Sequence, residues 1–94
     1  MTMNRFELLT AARDVMTDRG AVYGSVRDNH DRIAAMWTIL LGVSISAPQV
    51  AMMMAALKLA RLAATPDHQD SWVDLAGYAA TGSECAKVED DDVE

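Results

Sequence analysis

The stretch from Ser46 to Ala64, SAPQVAMMMAALKLARLAA, constrains the fold more than any other part of the chain. It opens with a Ser-x-x-Gln capping box, in which Ser46 and Gln49 each bond the other's backbone N–H. Pro48 falls in the first turn, where a missing N–H costs nothing. Past that turn the only charges are Lys58 and Arg61, so the helix is apolar nearly all round. In a soluble protein such a helix is expected to be the buried central element. The apolar run from Val50 to Leu57 is too short to cross a bilayer before Lys58 interrupts it. Thr65-Pro66 ends the helix.

Three further helices read from the punctuation on either side. In the first, Phe6, Leu9, Ala12, Val15 and Met16 recur at three- and four-residue steps, with Gly20 as the expected C-terminal cap. A loop Ala21-Val22-Tyr23-Gly24 follows. Ser25 is placed to cap the second helix, with Asp28 completing an acidic variant of the box. Ile33, Trp37, Leu40 and Leu41 form its expected apolar stripe, and Gly42 closes it. Val43-Ser44-Ile45 reads as a linker. Asp67 is the expected cap of a fourth helix that packs through Trp72, Val73, Leu75, Ala76 and Ala79, with order fading beyond Gly82. The prediction is an all-α bundle of about four helices, one domain over residues 1–86, followed by an acidic, disordered tail over 87–94.

A chain of 94 residues that is 51% hydrophobic carries more apolar surface than a small monomer easily hides. That excess predicts a homo-oligomer. The net charge of −6 owes five negative charges to the closing run from Glu89 to Glu94. An acidic chain lacks the basic face that duplex nucleic acid requires, so no such partner is expected. The single cysteine, Cys85, excludes an internal disulfide or a cysteine-built zinc site and fits a reducing cytoplasm. The opening Met1-Thr2-Met3-Asn4-Arg5-Phe6 carries no continuous apolar segment of the secretory kind. No membrane partner is expected.

Chemistry concentrates on the last two helices. Lys58 and Arg61 are three apart and share a face; Asp70 and Asp74 are four apart, with Tyr78 next along the same ridge. Counting outward from the turn near Pro66, Lys58 comes level with Asp74, and Arg61 with Asp70 or Ser71. The plainer interpretation is a pair of salt bridges that sets the register of the hairpin. The functional one is a phosphate site in which Lys58 and Arg61 hold the anion and the carboxylates orient them or bind a sugar hydroxyl or a metal. Arg19, Tyr23 and Asn29 add polar groups that a scaffold does not require, Tyr23 offering a flat face and a hydroxyl. Asp28 and Asp31 are three apart, a metal pair or simply complements of the helix dipole. His68 is a candidate metal ligand or an exposed, unengaged residue. No serine or cysteine has the setting of a nucleophile, and no catalytic residue is assigned.

Taken together, Arg19-Gly20-x-x-Tyr23-Gly24, Asn29-x-x-Arg32-Ile33-Ala34-x-x-Trp37, Lys58-x-x-Arg61-Leu62 and the segment Asp70-Ser71-Trp72-Val73-Asp74-Leu75-Ala76-Gly77-Tyr78 resemble a family of small phage and prophage proteins of uncharacterised function. The resemblance covers about Phe6 to Cys85. That family is in turn distantly similar to the all-α nucleotide pyrophosphohydrolases of the MazG type, which use an E-x-x-E helix and an E-x-x-D helix to hold magnesium on a nucleoside triphosphate. Here Asp70 and Asp74 match part of the second motif at a spacing of four rather than three. Asp28 and Asp31 match the first with shorter side chains. The resemblance implies a ligand site formed by Arg19, Tyr23, Asn29, Lys58, Arg61, Asp70, Asp74 and Tyr78. It leaves three functions open. One is a phage-encoded protein that sequesters a phosphorylated nucleotide immune signal, linear or cyclic, without hydrolysing it and with no required cofactor. Another is a magnesium-dependent pyrophosphohydrolase, which would need Mg2+. The third is an interaction module with no small ligand. For all three the expected location is the host cytoplasm.

Overall fold

The computed structural model describes residues 2–86, apart from the side chain of Tyr23. The acidic segment 87–94 lies outside the described residues. Four helices follow in order: α1 (Arg5–Tyr23), α2 (Val26–Leu41), α3 (Ala47–Ala64) and α4 (Gln69–Cys85). The described residues contain no strand, and none of the helices is long and apolar enough to cross a membrane. The all-α bundle expected from the sequence is the fold observed.

Local side-chain chemistry sets most of the boundaries. Ser46 and Gln49 form the reciprocal capping box at the start of α3, with proline in its first turn. The Ser25 hydroxyl accepts from the Asp28 N–H at 3.0 Å, and Gly42 closes α2 in the left-handed conformation at φ 74°. Asn4 and Glu7 make a second capping box at the start of α1. Three boundaries differ from expectation. Gly20 does not end α1; the helix continues to Tyr23, and Gly24 turns the chain at φ 83°, where a side chain would be strained. Asp67 does not cap α4: His68 occupies that position, its ring bonded to the Ser71 hydroxyl rather than to a backbone N–H. Order does not fade at Gly82, because α4 continues to Cys85.

Both α2 and α4 touch every other helix, and α4 makes the more extensive contacts, packing against α1, α2 and α3. The α3–α4 hairpin is the most intimate pair. Gly82 allows this, since a Cβ built there would lie 3.0 Å from the Ala51 Cβ. The Trp72 indole N–H donates to the Pro66 carbonyl at 2.8 Å and closes the turn between them. The Thr38 hydroxyl accepts from the Ile45 N–H at 2.9 Å and ties the linker back to α2. The small core holds Ala12, Ala34, Val50, Ala51, Leu62, Val73 and Cys85, among others. Burial holds the Cys85 thiol above the ordinary thiol range; Arg27 pulls it down, while Asp31 and Glu84 add to the rise.

Several apolar residues are not where periodicity placed them. Phe6, Leu9, Leu40 and Leu41 are exposed, Leu40 at 77%. The inward face of α1 keeps the expected Ala12, Val15 and Met16 but takes Leu8 in place of Phe6 and Leu9. That of α2 keeps Ile33 and Trp37, with His30 and Ala34 in place of Leu40 and Leu41. Nor is α3 buried all round: Met52, Met53, Leu57 and Leu59 face outward. Among the described residues the helices that neighbour α3 are α2 and α4, and two helices cannot cover its full circumference.

Candidate functional site

The hairpin register expected from the sequence is present at one rung. The Lys58 Nζ lies 2.9 Å from Asp74 Oδ2, with the two side chains only 12% and 20% exposed. At that degree of burial the pair must satisfy itself, because either charge alone would be poorly solvated. The second rung does not close. Arg61 and Asp70 are both exposed and form no ion pair among the described residues. Near the turn the Trp72 indole bonds back to the Pro66 carbonyl, while the His68–Ser71 bond at 2.7 Å stays within the start of α4.

Asp74 also forms part of a cavity of about 170 Å³ enclosed by all four helices. Its floor is apolar and includes Ile33, Trp37, Val50 and Met54. Its polar lining comes from Arg19 on α1, Asn29 and His30 on α2, and Asp74, Tyr78 and Thr81 on α4. The cavity therefore gathers Arg19, Asn29, Asp74 and Tyr78 from separate helices, and Lys58 joins them through Asp74. Arg61 and Asp70 lie outside its lining. Arg19 is exposed and lines the cavity, so it stands at the rim. Gly20 and Gly24 shape the same rim; Gly24 is required by its backbone angle, whereas Gly20 sits in ordinary helix.

His30, a polar group near the start of the second helix, is the residue to which the sequence assigned no role in a site. It is 6% exposed, its Nδ1 lies 3.0 Å from the Val26 carbonyl oxygen, and its buried Nε2 meets no partner among the described residues. A carbonyl oxygen only accepts, so Nδ1 carries the proton and Nε2 presents a lone pair when the ring is neutral. The signal for it was in the sequence: a polar residue at the head of the stripe His30-x-x-Ile33-Ala34-x-x-Trp37, on the face that must turn inward.

The carboxylates are dispersed. Asp74 is taken by Lys58, Asp70 is exposed, and Asp28 and Asp31 lie exposed on α2, Asp31 at 4.0 Å from Arg27. Among the described residues no group of three or more His, Cys, Asp or Glu side chains converges to hold a metal. His68, considered as a ligand, spends its Nδ1 on Ser71. This donor set does not fit the two-helix magnesium cage that the resemblance to pyrophosphohydrolases implies.

Comparison with known proteins places these features in a family. The Gene 55 protein of Mycobacterium phage L5 is 38% identical over 86 residues, covering 89% of this chain and 55% of that protein. The Gene 55 protein of Mycobacterium phage D29 is 38% identical over 77 residues, covering 82% of this chain and 51% of that protein. The chain thus spans about half the length of the curated relatives it matches. No solved structure matches it significantly. A family described as "Domain of unknown function (DUF6378)" matches residues 7–86, and with phage proteins as its relatives the chain belongs to that family, a small phage protein family whose function is unknown.

Proposed function

We propose that the chain binds a phosphorylated nucleotide, linear or cyclic, in the cavity among the four helices and retains it without hydrolysis, as a phage protein that sequesters a host immune signal would. The observation that carries this reading is the cavity's division of labour. An apolar floor with Trp37 suits a flat heterocycle, while Arg19, Asn29 and Tyr78 supply polar groups around it. At about 170 Å³ it is smaller than the roughly 300–1,000 Å³ of drug-sized sites. It takes the ring system and leaves the phosphate outside, within reach of the rim cation Arg19. Retention rather than cleavage is favoured because Asp74, the carboxylate lining the cavity, is neutralised by Lys58.

The exposed apolar residues at the end of α2 (Met36, Ile39, Leu40, Leu41) and on α3 (Met52, Met53, Leu57, Leu59) support assembly as a homo-oligomer. Light scattering coupled to size-exclusion chromatography tests this, with Leu40→Asp expected to lower the assembly state.

Native mass spectrometry with a panel of nucleoside triphosphates and cyclic dinucleotides, with and without magnesium, tests the ligand. An unaltered nucleotide retained at fixed stoichiometry supports sequestration. A converted nucleotide makes the chain an enzyme of the pyrophosphohydrolase kind. No bound mass leaves Lys58–Asp74 as a structural clasp in an interaction module.

A further inference from the structure

We infer that His30 is the specificity-determining residue of the cavity, its Nε2 accepting a hydrogen bond from an amino group on a planar nitrogen heterocycle. The inference rests on the cavity being a nucleotide site and narrows that reading to amino-bearing bases: adenine, cytosine or guanine. The Nδ1 bond to Val26 holds the ring in one tautomer, so the atom left in the buried wall is an acceptor without a proton. Buried acceptors are almost always satisfied, and one left unmet among the described residues, on a side chain that lines a cavity, marks where a donor belongs. Neighbouring elements supply none. The Thr81 hydroxyl is directed at the Tyr78 carbonyl at 3.4 Å, and neither Arg19 from α1 nor Tyr78 from α4 reaches Nε2. The apolar residues Ile33 and Trp37 lie on the same stripe of α2, and the planar indole of Trp37 favours a ring over an aliphatic amine. A heterocycle of the same shape with a carbonyl oxygen or a bare C–H in place of the amino group would leave Nε2 facing an acceptor or nothing.

Two substitutions separate this role from a structural one. His30→Asn keeps a donor at the Nδ1 level for Val26 and removes the Nε2 acceptor. His30→Gln places an amide oxygen at the Nε2 level. The experiment is calorimetric titration of wild type and both variants with adenosine 5′-monophosphate and with purine riboside 5′-monophosphate, which lacks the amine. Alongside it, the His30 ring 15N shifts are followed with adenine and 2-aminopyridine as small probes, and circular dichroism checks each variant's fold. The expected result is ~10–100-fold tighter binding of the amino-bearing nucleotide by wild type, lost in His30→Asn and partly restored in His30→Gln. Nε2 moves on adding either probe. Equal binding of both nucleotides, unchanged in folded His30→Asn, overturns the role of His30 and leaves the nucleotide reading standing. Probes that move Nε2 while neither nucleotide binds more tightly than adenine overturn the nucleotide reading and keep His30. An Nε2 signal indifferent to both probes means water alone meets it and ends the inference.

Discussion

The α3–α4 hairpin and the corner between α1 and α2 are built to opposite ends. In the hairpin, polar groups are spent on structure: Lys58 on Asp74, Trp72 on the Pro66 carbonyl, His68 on Ser71, with Gly82 against Ala51 at van der Waals limits. Around the other corner, Arg19 and Asn29 line open space, His30 carries an unmet buried acceptor, and glycines at 20 and 24 hold the wall back. A region whose polar groups all bond one another gains register. A region that buries an unmet one gives up stability, and the return lies in what it binds.

Breaking the clasp should have the largest effect. Asp74→Ala or Lys58→Ala strands a mostly buried charge and is expected to cost about 2–4 kcal/mol in urea unfolding. Replacing both by Lys58→Met with Asp74→Leu should recover most of that loss, and failure to recover would mean the pair acts on more than its own charges.

Overfilling the hairpin should come next. Gly82→Val forces atoms into a gap that already allows only 3.0 Å to Ala51, and a loss of about 1–3 kcal/mol is expected. No change in urea midpoint would show that the two helices can slide apart.

Gly20→Ala sharpens the comparison from the other side. The position is helical and a Cβ there meets nothing within 4 Å, so stability should rise by about 0.5–1 kcal/mol. Because Gly20 lines the cavity, ligand affinity should fall at the same time. A rise in both would place the ligand elsewhere.

Alkaline pH tests the far end of α4. The folded state holds the Cys85 thiol above its unfolded value, chiefly through burial. The folded protein thus keeps its proton where the unfolded chain loses it. That contribution is whole below the unfolded thiol range and is lost as pH rises through the folded one. Unfolding titrations in the alkaline range should show falling stability, and the onset of the fall should be shallower in Cys85→Ala.

The smallest effect is expected at the open rung. Arg61→Ala, Asp70→Ala and their double variant should leave the urea midpoint unmoved, with no coupling in a double-mutant cycle. Reduced nucleotide affinity in Arg61→Ala would extend the site beyond the cavity.

The caps of α2 and the start of α3 were legible in the sequence because each is settled within a few residues. Ser46 with Gln49 and Gly42 needed no distant partner to act. The Lys58–Asp74 rung was legible too, since a short turn lets one count residues outward along both helices. The inward face of α1 was legible only in its later part, Ala12, Val15 and Met16. In its first turns Phe6 and Leu9 fit a helical period as well as Leu8 does, and only the position of α4 decides between them.

By itself, the sequence determined four helices, both ends of α2 and α3 and one ion pair across a hairpin, all consequences of chain geometry over short separations. Only the tertiary structure decided that Arg61 and Asp70 stay apart, that α3 leaves Met52, Met53, Leu57 and Leu59 exposed, and that Arg19, Asn29, His30 and Tyr78 share one cavity. The reason is physical. A cavity is the space left where helices cross, and its size depends on how small residues such as Gly82 and Ala51 set distances between elements remote in the chain.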